Sequence, residues 1–306
     1  LSATLNPDFG QVESDGIVVN FGAIETFFGD KRPFFTENQS YFEVPFGSLG
    51  NTQQLLYTRR VGGATDDGAG SGDVAAAVKL NGSLGSWGYG VFAATENDEV
   101  GRDFYALRTT RDIETDAIGS MGFGAMATRV ERPYLDRGAT VLSLDHRWSP
   151  TPDWNIRTTL VGSNVDQSGA QVRDSGAQMR IDHKIDDVWR QQLYLLHTGD
   201  DLQLNDFGFL DRNNFNYARY ELSQRLTALP EDSPYSSHQW RYAISRRTND
   251  NGLLIANAYA VSRYSERRDG GNQFIEIAGF SAGHDDLITR GNGAVDHPGR
   301  LFLTAE

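Results

Sequence analysis

Apolar and polar residues alternate with a period of two along most of this chain, and helical spacing is scarce. Val74, Ala76, Val78 and Leu80 form one set, with Lys79 and Asn81 on the other side. Thr140, Leu142, Leu144 and Trp148 alternate with Ser143, Asp145 and Arg147, and Trp154, Ile156, Thr158 and Leu160 alternate with Asn155, Arg157 and Thr159. Ala177, Met179, Ile181 and Ile185 interleave with Gln178, Arg180, Asp182 and Lys184. Ala218, Tyr220, Leu222 and Leu226 do the same with Arg219, Glu221 and Arg225. The pattern predicts strands over 52–61, 74–82, 86–96, 103–111, 117–130, 138–148, 154–164, 175–185, 188–198, 216–227, 238–248, 252–264, 272–281 and 300–306, with residues 1–9 as a further candidate. Most exceed the about 5–6 residues usual in soluble sheets. They match the about 9–11 that a tilted strand needs to cross a bilayer.

The connections alternate in length. Ser83–Gly85, Ser149–Asp153 and Asp186–Asp187 are short, whereas 163–176, 197–216 and 281–300 are long and polar. Two connections break the parity, a long one at 226–239 and a short one at 248–252. Short turns on one side and long loops on the other are expected of an outer-membrane barrel. The expected fold is therefore all-β, an antiparallel transmembrane β-barrel or a large segment of one, with about 14–16 strands. Residues 1–51 are expected to form an N-terminal strand plus an aromatic-rich loop or plug, and 52–306 the barrel strands.

Trp87, Trp148, Trp154, Trp189 and Trp240 all fall at strand ends, on the side of the short turns. Indole rings favour the headgroup zone, so these five read as an interfacial girdle. Trp beside turns also caps soluble cores. The opposite strand face carries Arg157, Arg180, Asp182, Lys184, Arg219, Glu221, Arg225, Arg241 and Arg247. Charges are costly in lipid, so they read as lumen-lining; in a soluble sheet they are the solvated face. Arg59–Arg60, on the predicted strand 52–61, places one guanidinium on each face. One reading is an interfacial Arg that snorkels to headgroups, the other a lumenal Arg59.

Composition agrees with many strands joined by tight turns. Hydrophobic residues make up 39% of the chain, below the about 45–50% of globular domains, while 17 Phe, 12 Tyr, 5 Trp and 33 Gly are abundant. A net charge of −13, from 41 acids and 28 bases, opposes nucleic-acid binding. No Cys is present, which excludes disulfides and thiolate metal sites. No apolar run is long enough for a transmembrane helix. The opening LSATLNPDFG lacks a signal peptide, which leads us to expect a processed chain or part of a longer one.

The stretch ETFFGDKRPFF (25–35) stands apart, because two Phe pairs bracket a charged, turn-forming run. It is too short and charged to span a membrane, and Pro33 argues against a central strand. It reads as a folded-in plug or latch: Phe27, Phe28, Phe34 and Phe35 pack inside the barrel or at its rim, and Asp30, Lys31 and Arg32 meet the lumen charges or one another. A binding knuckle is the other reading.

Nothing else carries chemistry convincingly. Asp66–Asp67, Asp186–Asp187, Asp200–Asp201 and Asp285–Asp286 are adjacent acids, which point to opposite faces of a strand and make poor catalytic dyads. They read as loop acids. His146, His183, His197, His238, His284 and His297 are scattered without metal-ligand spacing. The Gly-rich run 62–72 lacks the Lys of a phosphate loop, and no nucleophile elbow occurs. No catalytic residue, metal or cofactor is assigned.

Several stretches together, TLNPDFGQVESD (4–15), ETFFGDKRPFF, LLYTRRVGG (55–63), LNDFGFLDRNNF (204–215) and DDLITRGNG (285–293), resemble a family of bacterial outer-membrane proteins of uncharacterised function. In that family a carbohydrate-binding-like β-sandwich of the family-nine type precedes a large β-barrel. Thr36-Glu37-Asn38 departs from the Leu-Glu-Gly that tends to follow the motif, and the sandwich is absent here. The resemblance implies a bacterial outer-membrane location and a barrel that continues beyond residue 306. The expected function is a porin-like channel, transporter or envelope-assembly component with a charged lumen, with lipid as partner and a link to glycan or other envelope proteins. Alternatives are a surface-associated carbohydrate-active β-protein, which binds or hydrolyses glycan, and a structural subunit of an envelope complex.

Overall fold

A computed structural model of the chain describes residues 2–5, 24–47, 53–289 and 291–306. Most of TLNPDFGQVESD, the first residue of the predicted strand 52–61, and Arg290 lie outside the described residues. The fold is all-β. After β1 (Ser2–Leu5) and a one-turn helix α1 (Pro33–Thr36), the strands are β2 (Val74–Leu84), β3 (Trp87–Glu96), β4 (Asp103–Thr115), β5 (Gly119–Arg132), β6 (Arg137–Ser149) and β7 (Trp154–Gln167). They continue with β8 (Ala170–Lys184), β9 (Trp189–Thr198), β10 (Phe215–Leu226), β11 (Tyr235–Thr248), β12 (Leu254–Arg267) and β13 (Asn272–Phe280). A small hairpin, β14 (Gly283–Asp285) and β15 (Val295–His297), precedes β16 (Arg300–Ala305).

One 14-stranded sheet runs β1-β2-β3-β4-β5-β6-β7-β8-β9-β10-β11-β12-β13-β16, with sequential neighbours paired. Every pairing with a described register is antiparallel. Among the described residues β1 and β16 are its edges and no pairing joins them, so no closed barrel is found. The chain divides into two compact units. Unit one holds Leu1–Arg147, Thr158–Gln178 and Thr198–Asn214, and unit two holds Trp148–Arg157, Met179–His197 and Phe215–Glu306.

Three expectations about elements are corrected. Residues 53–61 form no strand: Leu55, Leu56 and Tyr57 are buried in succession, which no alternating strand allows, and Thr58–Arg60 close a 3-10 turn. Only Gln54 makes a bridge there, to Phe209. The predicted long loop at 163–176 is instead the tip of a hairpin in which β7 and β8 run on to a tight turn. Ser168 and Gly169 take positive φ there, 52° and 79°, as the twist of a two-residue hairpin requires. Val74 does not share a face with Val78, because a register shift between Val74 and Ala76 turns it inward. Val74 and Ala77 are buried while Val78 is exposed.

The two faces of the sheet differ in character. In unit one, Leu80, Val91 and Leu107 lie in register on one face, and all are exposed. One position along, Lys79, Phe92, Ala106 and Thr128 lie in register on the other face, and all are buried. Unit two repeats the exposed row with Leu222, Tyr242, Val261, Ile277 and Leu303. Its opposite face reads Ser223, Arg241, Ser262, Glu276 and Thr304. Apolar side chains therefore line the exposed face in each unit, while the other face is a largely apolar buried core in unit one and polar in the row of unit two.

Candidate functional site

In unit one the buried face of the sheet is covered by residues 24–47, by 53–61 and by the β9–β10 connection. ETFFGDKRPFF lies at the centre of this layer. Pro33 starts α1, where its missing N–H costs nothing, and the turn directs Phe35 into the core at 1% exposure. Its ring meets Phe92 of β3 with centroids 6.0 Å apart. Phe92 in turn meets Phe207 at 5.8 Å, and Phe207 meets Phe104 at 5.1 Å. Phe34 packs edge-on against Phe35 at 5.2 Å. Phe27 stacks on Tyr57 and sets its edge against Phe209, both at 5.1 Å. The Tyr57 hydroxyl donates to the Phe28 carbonyl at 2.7 Å.

The charged knuckle between the Phe pairs is fully engaged. Asp30 accepts from Arg32 Nε at 2.9 Å, from Arg32 Nη2 at 2.7 Å and from the Thr58 hydroxyl at 2.7 Å. Burial alone would raise the Asp30 pKa, but the hydrogen bonds and charge of Arg32 outweigh it and hold the carboxyl below its ordinary range. Arg32 also donates to the carbonyls of Val61 and Thr58, at 2.7 and 2.8 Å, and lies 4.1 Å over the Phe35 ring. Lys31 of the same run sits in the turn preceding α1. Of the three charges, Asp30 and Arg32 pair with each other.

Sequence reading missed the partners of this layer. Lys79 of β2, 2% exposed, donates to the carbonyls of Phe34, at 2.6 Å, and Glu37. Glu96 accepts from Arg102 Nε and from the Gly62 amide, each at 2.7 Å. Arg132 bridges Asp66 at 2.6 Å and Asp206 at 2.8 Å, and Arg137 donates to Asp206 at 2.7 Å. Asp66 does lie in a loop, but its carboxylate is buried in an ion pair, while its neighbour Asp67 is exposed. Asp206 resembles Asp30: burial pushes its pKa up, and the two guanidiniums more than reverse this. The one available signal was Lys79, the single charged residue of β2, which gives no direction by itself.

Arg59 leaves the set of strand-borne charges. It sits on the 3-10 turn, 5.7 Å from the Phe28 ring, with Nη1 donating to the Gly29 carbonyl at 3.4 Å. Arg60 points to the same layer, pairing with Glu25 at 2.8 Å and reaching the Gly208 carbonyl at 3.2 Å.

Unit two gathers most of the remaining predicted charges on the face that alternation gave them. Arg180 pairs with Asp182 at 2.9 Å, and Gln192 donates to the same carboxylate at 2.6 Å. Glu221 accepts from Arg219 at 2.5 Å and Arg241 at 3.2 Å. Lys184 pairs with the exposed Asp187 at 2.6 Å, Arg157 donates to Asn155 at 2.7 Å, and Arg225 lies exposed near the end of β10. Over β7–β10 these side chains border a groove of about 420 Å³ lined by Asn155, Asp182, Lys184, Arg190, Gln192 and Glu221, among others.

Among the Trp residues, Trp87, Trp154 and Trp189 are the first residues of their strands, Trp148 is the penultimate residue of β6, and Trp240 lies in the first half of β11. Trp87 has the Arg111 guanidinium 5.0 Å from its ring, and Trp240 has that of Arg263 at 5.6 Å. Trp154 stacks on His183 with centroids 3.7 Å apart.

Residues 1–80 match the model of a family described as a domain of unknown function, DUF5916. The matched stretch contains ETFFGDKRPFF, the 3-10 turn and Lys79. No curated protein matches the chain.

Proposed function

We propose that this chain is a β-barrel protein of the bacterial outer membrane, or a large segment of one, whose interior is partly filled by its own residues 24–47 and 53–61. The carrying observation is the apolar uncovered face. Leu107, Leu142, Leu144 and Leu160 of unit one and Ile244 of unit two are each 50–62% exposed, and within unit two the row from Leu222 to Leu303 is likewise apolar. Leaving a Leu or Ile side chain in water forgoes about 1.5–3 kcal/mol each. A contiguous surface of them is the mark of a face meant for lipid or a partner. Strand length supports lipid, since β2 to β13 run 9 to 15 residues. The four Trp residues at strand ends, Trp87 with Arg111 beside its ring, fit the headgroup zone, while Trp240 lies further into its strand. The motif resemblance points to the same location.

In this reading the arginines and carboxylates of β7–β11 face an aqueous interior, and the β1 and β16 edges must be paired in the membrane, because an open ladder in lipid leaves backbone groups unsatisfied. The protein acts as a conduit or envelope-assembly component, and the inserted segment fixes how much of the interior is open. Reconstitution into liposomes tests this. Purified chain that enters bilayers and resists proteolysis across β2–β13 supports it. Chain that stays soluble and monodisperse without detergent refutes it.

A further inference from the structure

We propose that the groove over β7–β10 in unit two binds a small multivalent oxyanion, with Arg190 as the cation that receives it. Its volume, about 420 Å³, lies within the about 300–1,000 Å³ typical of small-molecule sites. Three carboxylates line its wall: Asp153 interacts electrostatically with Lys184, and the other two are held in ion pairs. Asp182 is held by Arg180 and Gln192, and Glu221 by Arg219 and Arg241. Arg190 lines the same groove, and its side chain, within electrostatic range of Asp187, makes no hydrogen bond or ion pair among the described residues. Lys184 at the rim pairs with Asp187, an exposed side chain that an incoming anion can displace.

The charge balance of this face runs against the chain as a whole. The protein carries −13, yet at the groove Arg180, Lys184, Arg190, Arg219 and Arg241 stand against Asp153, Asp182 and Glu221. A cation gains nothing from such a site, and a neutral solute has no use for the surplus arginine. A guanidinium presents a planar fork of donors that matches carboxylate and phosphate oxygens. Ser223, also at the groove, adds a hydroxyl. Phosphate-bearing and carboxylate-bearing ligands share this recognition.

The test is isothermal titration of the full chain in detergent, with pyrophosphate in one arm and citrate in the other. At least one probe is expected to bind, with an affinity that falls as salt rises. Tighter pyrophosphate binding assigns phosphate chemistry, and tighter citrate binding assigns carboxylate. Arg190→Gln is expected to weaken binding about tenfold or more, a loss near 1.4 kcal/mol. Glu221→Gln, which frees Arg219 and Arg241, is expected to strengthen it. Arg246→Gln, on the opposite face beside Asn257, is expected to leave it unchanged. No heat with either probe, or equal binding by wild type and Arg190→Gln, overturns the proposal. Neither result bears on membrane insertion, which the liposome experiment tests separately.

Discussion

Lys79 of β2 and Phe34 of the inserted segment are joined by a hydrogen bond of 2.6 Å from the ammonium to the main-chain carbonyl. The same ammonium reaches the Phe35 and Glu37 carbonyls, so a single side chain of the sheet grips three successive points of one turn. Lys79→Met keeps the length of the side chain and removes the donors. Hydrogen bonds to a charged group contribute about 1.5–3 kcal/mol, and losing them is expected to loosen the turn. Trypsin is then expected to cleave after Lys31 faster in the variant, by at least about tenfold if opening limits cleavage. Equal cleavage rates would remove Lys79 from the role of anchor.

Acid is expected to release the same layer. Asp30 and Asp206 both have folded pKa values below the ordinary carboxylate value, so their contribution is present above about pH 4. It is lost as pH falls through the folded values, because the unfolded state then binds protons more readily than the folded one. Proteolytic resistance of residues 24–47, followed with an acid-active protease, should hold from neutral pH to about 4 and decline below it. Asp206→Asn should weaken the layer at neutral pH and flatten part of that decline. A profile identical to wild type would argue against the Arg132–Asp206–Arg137 cluster as its source.

Gly90 makes room for the inserted segment. A Cβ built there would lie 2.9 Å from Phe42 Cζ, and Phe42 is 3% exposed. Gly90→Val is expected to destabilise unit one by about 1–3 kcal/mol through overpacking. Combining it with Phe42→Leu should recover much of that loss, as contacting residues couple. Thermal unfolding in detergent reads both. Additive losses in the double variant would contradict the contact.

Much of the sheet was legible because its strands keep one alternation for their whole length. Leu142 to Leu144 and Arg180 to Asp182 identify their faces without reference to any partner. What alternation could not show was packing across long separations. Leu202, Leu204, Phe207 and Phe209 sit in a connection that reads as polar, and their burial depends on Phe27, Tyr57 and Phe92, far away in sequence. The stretch 53–61 misled for the same reason: its apolar residues serve a core on all sides, not one face of a strand. At 163–176 the chain remains extended although polar on both faces, and composition suggested a loop where the backbone ladder continues. The Phe pairs around Asp30 and Arg32 were visible as an inserted unit, but the ammonium of Lys79 that holds them was not, since a lone Lys on a strand carries no direction by itself.

The apolar outer face makes a more demanding claim. An Arg in place of Val261 or Leu142 would cost little if water bathes that face, since exposed substitutions usually change stability by less than about 0.5 kcal/mol. At the middle of a bilayer it costs about 2–4 kcal/mol. Refolding yield into liposomes is therefore expected to fall sharply for Val261→Arg. The yield for Gln239→Arg, at an exposed position on the same face of β11 as Arg241, should fall far less.

The most direct measurement uses the absence of cysteine in the chain, which makes any introduced thiol a unique label. Nitroxides placed at Leu142 and Val261, and at their neighbours Ser143 and Ser262, are compared in liposomes for collision with oxygen and with a water-soluble nickel chelate. The account predicts that Leu142 and Val261 favour oxygen and exclude the chelate, while Ser143 and Ser262 do not favour oxygen. Labels at Leu142 and Val261 that meet the chelate as freely as one at Asn251, in the β11–β12 turn, would contradict the membrane-facing sheet.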